Sequence, residues 1–214
     1  MPTVLTVQNA AFVWSPPIEP RAGAVAVDAF GLRDASVQCV DGRIAAIGPH
    51  VADEPGEVLD ASGCVVVPGL VNAHHHLVQS AFRTHPETRH VPMARWLAAM
   101  RAQYAAIGID GELAAAAAAV GVAESLLCGV TTVADHHLNW PVGVDACVEV
   151  AEAAMRAADA LGARLVFVRG TAGDDPATAV DTVEELHAAL KLPRVELAVG
   201  PSGVHADGPD TFAA

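Results

Sequence analysis

Aromatic side chains make up only 4% of the 214 residues, while hydrophobic residues make up 52%. Any core must therefore be built mainly from Ala, Val and Leu, and a chain of this length and apolar content holds one or two domains. Basic residues are also few: 12 Lys and Arg stand against 25 Asp and Glu, for a formal net charge of −13 at pH 7. Such a balance repels nucleic-acid backbones and anionic membranes, and both are excluded as partners. An acidic solvated surface explains the charge without any function. No uncharged apolar run reaches about 18 residues, so no membrane span is expected. The opening MPTVLTVQNAAFV lacks a basic segment followed by an apolar one, which argues against a signal peptide. Cys39, Cys64, Cys128 and Cys147 have no CxxC spacing and mostly apolar neighbours. Buried free thiols in a reducing compartment are expected, and the cytoplasm is the default location. Neither GxGxxG nor GxxxxGKS opens a helix, so nucleotide-binding α/β folds are set aside.

What the sequence does contain is a dense stretch from Cys64 to Arg83, CVVVPGLVNAHHHLVQSAFR. An apolar run meets Pro68-Gly69, and Leu70-Val71 then leads into Asn72-Ala73-His74-His75-His76. Branched residues bounded by turn chemistry suit a strand buried on both faces. Side chains alternate along a strand, which sends His74 and His76 to one side and His75 to the other. Two adjacent imidazoles at a strand end are a ready pair of metal ligands. The competing reading is a pair of core histidines satisfied by backbone carbonyls; an expression tag is excluded, because the triplet is internal.

Residues 2 to about 67 read as β. Val4, Leu5 and Val7 begin a strand, and Val37–Val40, Asp41-Gly42 and Arg43–Ile47 form a tight hairpin whose centre tolerates positive φ. Ser15 to Arg21, with three prolines, reads as a loop. From Leu77 the period changes. Helices are predicted over Met93–Ile107, over Glu112–Leu127 with Asp110 as N-cap, over Ala146–Leu161 closed by Gly162, and over Ala177–Leu190. Strands are predicted over Val130–His137, Arg164–Arg169 and Val195–Pro201. This alternation is the pattern of parallel β/α units. In a barrel the chemistry gathers at the C-terminal strand ends. There fall His74 and His76, then Asp135, His136 and His137, then Arg169, and finally Ser202 and His205.

Pro68, Gly69, Leu70, Val71, Asn72, His74 and His76 fit, position by position, the Pro-Gly-Leu-(Ile/Val)-(Asp/Asn)-x-His-x-His signature of the first barrel strand of the amidohydrolase superfamily. AHHHLVQSAFR, AESLLCGVTTVADHHLNWP, RVELAVGPSGV and Arg169-Gly170 resemble in particular the mononuclear branch that holds 8-oxoguanine deaminases and s-triazine hydrolases. The resemblance implies an α/β chain: a small β-sandwich part over 1–67, then an incomplete (β/α)8 barrel over 68–214 comprising its first four units. It also implies one divalent metal, zinc ahead of iron, with His74 and His76 among its ligands. Strand four lacks the lysine that bridges two metals in binuclear members. The implied reaction is hydrolysis of a C–N or C–Cl bond on a purine- or triazine-like heterocycle, with a metal lowering the pKa of water toward about 7. Gln79, His136, His137 and Arg169 are candidate substrate contacts. Asp135 suits a loop-orienting role, Trp96 core or lid packing, His50 and His205 loops, and His187 a solvated helix face. In such enzymes the acid/base glutamate and the remaining ligands follow strand five, so no catalytic acid or base is assigned here. This chain alone is expected to be inactive, and the full-length form to be a homo-oligomer. The alternative is a non-catalytic half that serves as an assembly partner completed by another chain.

Overall fold

The computed structural model of the chain describes residues 2–15, 31–173, 175–189, 191–203 and 207–213. The chain divides into two compact units, Met1–Pro68 and Gly69–Ala214. The first unit is built on β1 (Val4–Val13), β2 (Leu32–Val40), β3 (Arg43–Gly48), β4 (Glu57–Asp60) and the short β5 (Val65–Val66). They form one mixed sheet in the order β3-β2-β1-β4, with β5 also pairing with β1. Ala10, Val13, Ala35, Val37 and Ala61 form its buried cluster. Asp41 and Gly42 turn β2 into β3 with φ of 51° and 73°, as expected for a two-residue turn that needs positive φ at both centres. Among the described residues this unit has a single sheet. Of the proline loop expected over Ser15–Arg21, only Ser15 lies within the described residues, as do neither Leu190 nor His205.

The second unit alternates β6 (Leu70–His75), α1 (Met93–Ile107), α2 (Gly111–Leu127), β7 (Val130–His137), α3 (Val144–Ala160), β8 (Arg164–Thr171), α4 (Pro176–Ala189), β9 (Val195–Pro201) and the short α5 (Pro209–Ala213). Its four strands are parallel throughout, in the order β6-β7-β8-β9. Asp110 caps α2 by accepting from the Leu113 N–H at 2.9 Å. Ala114, Ala117, Ala118, Gly121, Val122 and Ser125 recur three and four apart and are all buried, so α2 turns one face of small residues inward. The main core joins that face to Val150, Ala154 and Met155 of α3 and to Val133, Leu165 and Phe167 of the sheet. Helices thus cover one face of the sheet. On β7 and β8 that face takes Val133, Asp135, His137, Leu165, Phe167 and Arg169, all buried.

Two expectations are corrected. The stretch around Pro68 is not one strand buried on both faces: β5 and β6 belong to different sheets. Leu70 and Val71 are 56% and 67% exposed, and among the described residues β6 is an edge strand. Of the four cysteines only Cys147 is buried; Cys64 and Cys128 are exposed. Cys64 precedes the two-residue β5, and Cys128 caps the C-terminus of α2 at the surface, so apolar neighbours in sequence did not bring burial.

Candidate metal and substrate site

The site begins with an irregularity in β6. Asn72 stands opposite Val133 and His75 opposite Asp135, so three steps on β6 match two on β7. One residue is extra, as in a β-bulge, and it offsets an opposite shift at the start of the strand, where Leu70 and Val71 stand opposite Val130 and Thr132. The Asn72 side chain steadies it by accepting from the His74 N–H at 3.2 Å. Beyond the bulge His75 falls on the helix-covered face, where its ring lies near Gly121 of α2. His74 and His76 face the other way, together with His136.

The Nε2 atoms of His74 and His76 lie 3.2 Å apart. Two nitrogens each about 2.0–2.1 Å from a tetrahedral ion are about 3.3 Å apart, so the pair fits one cation without rearrangement. The His76 Nδ1–H donates to the His136 carbonyl at 2.6 Å. A carbonyl only accepts, so in the neutral ring Nδ1 carries the proton and Nε2 presents its lone pair. Burial lowers the His76 pKa, opposed by that hydrogen bond, and the neighbouring His74 and His136 lower it further. A neutral ring oriented by a carbonyl behind it is what a metal-ligating histidine requires. His136 stacks on His74 with ring centroids 4.5 Å apart, while its own Nε2–H donates to the Ala73 carbonyl at 3.3 Å. Among the described residues no group of three or more His, Cys, Asp or Glu could hold a metal ion.

Leu77–Phe82 form a 3-10 turn directly after His76. Its first amide, from Leu77, donates to Asp135 Oδ1 at 2.7 Å. Asp135 is buried; its Oδ2 has no hydrogen-bond partner among the described residues, and burial pushes its pKa up to about 7. A cavity of about 460 Å³ opens beside the imidazoles, with Gln79, Arg83, Trp96 and Met100 in its wall. Arg83 forms an ion pair with Glu124 at its rim, which holds the Glu124 carboxyl below its usual range. Trp96 and Tyr104 pack against the Val78, Phe82 and Met100 cluster.

Two expected substrate contacts are not brought to this site. His137 lies on the helix-covered face, stacked with Phe167 at 5.8 Å and tilted against Trp140 at 4.5 Å. Its Nε2–H donates to the Asn139 carbonyl at 3.1 Å, and burial pushes its pKa down to about 4. Arg169 is on the same face, its guanidinium 4.3 Å from the Trp140 ring centroid. Strand alternation separates both from the imidazole pair, since His136 and Val168 take the opposite face. His50 and His187 are exposed. Sequence reasoning missed the wall around Arg83 and Met100, which the spacing of α1 and the turn could have suggested only with their packing known.

Residues 65–214 match the profile of the Amidohydrolase family. The chain belongs to that family. Amidohydrolase relatives include 8-oxoguanine deaminase of Pseudomonas aeruginosa, 35% identical over 134 residues that make up 61% of this chain and 29% of that protein. A 5-methylthioadenosine/S-adenosylhomocysteine deaminase of Nitratidesulfovibrio vulgaris is 30% identical over 193 residues, 85% of this chain and 40% of that protein. Among solved amidohydrolase structures, atrazine chlorohydrolase TrzN from Arthrobacter aurescens TC1, complexed with zinc, superposes with a TM-score of 0.81 at 28% identity. The match covers 97% of this chain and 49% of that one. This chain therefore spans half or less of the length of the relatives it matches.

Proposed function

We propose that the chain forms the first four β/α units of a metal-dependent amidohydrolase barrel over residues 68–214, preceded by part of a β-sandwich over residues 1–67. His74 and His76 hold one divalent cation, zinc ahead of iron. The whole protein hydrolyses a C–N or C–Cl bond of a purine- or triazine-like heterocycle. The observation that carries this reading is the 3.2 Å approach of two Nε2 atoms, one with its tautomer set by a carbonyl, at the C-terminal end of β6. When bound, such an ion supplies Lewis acidity and activates water. The chain's own residues orient and bind: the His136 carbonyl orients His76, and the cavity wall at Gln79, with His136 beside the pair, offers polar atoms to a ring edge. Trp96 helps close the cavity against water. His137 and Arg169 serve the packing behind the sheet. No residue of this chain is assigned as general acid or base.

The test is zinc titration of the purified chain against its H74A/H76A variant, with metal content measured by mass spectrometry. Weak binding that approaches one zinc per chain on titration, and is lost in the double variant, is expected; binding that survives the double substitution refutes the assignment. The same protein is assayed for ammonia release from 8-oxoguanine and chloride release from atrazine. No turnover is expected from a chain with two ligands and no assigned acid or base. Turnover in the absence of a second polypeptide would overturn the view that further residues are required. The exposed Leu70 and Val71 on β6 and Val199 on β9 favour completion of the sheet by further strands.

A further inference from the structure

We infer that Asp135 is a positioning residue for His76, holding it through the amide of Leu77. The inference rests on the reading of His74 and His76 as a metal pair. His76 sits at φ −128° and ψ 85°, outside both the helical and the fully extended wells, and its side chain gives the following turn no capping bond. The turn's leading N–H is satisfied from another strand instead: Leu77 N–H donates to Asp135 Oδ1 at 2.7 Å, with both residues 1% exposed. The peptide plane that carries this N–H begins at the carbonyl carbon of His76. The ψ angle of His76 and the direction of that N–H are therefore one degree of freedom, and Asp135 fixes it. A second bond fixes the other end of the residue, from the ring Nδ1–H to the His136 carbonyl. Asp135 and His136 are neighbours on β7, one reaching the peptide that follows His76 with its side chain and the other reaching its ring with its main-chain carbonyl. The ring is thus clamped from a single strand. Gly121 of α2 lets this clamp close, since a Cβ there would lie 2.7 Å from Leu77 Cδ2 and 2.8 Å from Ser80 Oγ.

The experiment titrates the purified chain with Co(II), following its visible absorption, in wild type, H74A/H76A, D135N and D135L. Asn keeps an oxygen that accepts from Leu77, whereas Leu keeps the bulk and has no acceptor. Expected is tetrahedral cobalt absorption in wild type, affinity for D135N within a few-fold of it, and affinity for D135L lower by about 10- to 100-fold, the loss typical when the support behind a ligand is removed. Equal affinities in D135L and wild type overturn the inference while leaving the metal pair standing. Binding unchanged in H74A/H76A, or absent from wild type, overturns the metal pair and the inference with it. Circular dichroism reports whether D135L folds. If it does not, amide exchange in the wild type decides: a Leu77 N–H protected like those of the sheet supports the clamp, and one exchanging like an exposed amide refutes it.

Discussion

Asp135 and His137 are two residues apart on β7, both buried, and their protonation is displaced in opposite senses. Asp135 is raised from 3.8 to about 7, and His137 is lowered from 6.5 to about 4. Between about pH 4 and 6.5 the folded chain holds a proton on Asp135 that the unfolded chain has released. Stability therefore falls with rising pH, by roughly 1.36 kcal/mol per pH unit. In the same window the unfolded chain holds a proton on His137 that the folded chain refuses, so stability rises with pH by roughly the same slope. Taken to completion, the Asp135 displacement amounts to on the order of 4 kcal/mol and that of His137 to on the order of 3 kcal/mol. In the wild type these contributions cancel across the window. D135N removes the falling component and should leave stability rising with pH relative to wild type. H137Q removes the rising one and should leave it falling. Urea denaturation of the metal-free chain at pH 4.5, 5.5 and 6.5 measures the slopes, and the remaining titratable groups drop out of the comparison because all three proteins share them. Profiles that run parallel for the three proteins would refute the reasoning.

Substituting Gly121 by Ala should destabilise the chain by about 1–3 kcal/mol, because the new methyl group meets Leu77 and Ser80 well inside contact distance. Thermal denaturation together with zinc titration checks it, and metal affinity should fall with stability because the displaced turn begins at His76. Placing Lys at Val71, which is 67% exposed on the β6 edge, should lower light scattering of concentrated protein without lowering its melting temperature, since a charged edge discourages strand-to-strand association.

The elements of the second unit were legible because punctuation and period agreed. Asp110 starts α2, Gly129 and Gly162 follow helix ends at φ of 80° and 81°, and each strand that follows opens on or contains branched apolar residues. The imidazole pair was legible for the same reason, as alternate residues at a strand end. The side on which a polar residue of β7 or β8 falls was not. Both strands carry apolar residues at successive positions, so their pattern does not say which face the helices cover, and His137 and Arg169 read as equivalents of His136. The edge position of β6 was equally hidden, because Leu70 and Val71 have the composition of a central strand while lacking a neighbour on one side.

The added residue between Asn72 and His75 has a consequence for how such motifs are read. It offsets an opposite shift between Leu70 and Val71, where one step on β6 matches two on β7; with that first shift alone, His74 would stand opposite Asp135 and the two imidazoles would point under the helices, with the same letters in the same order. The spelling His-x-His thus carries the spacing of the rings but not their heading, which depends on two register shifts upstream that cancel. A relative that keeps the histidines but only one of the two shifts would have the ligands and no place to put a cation.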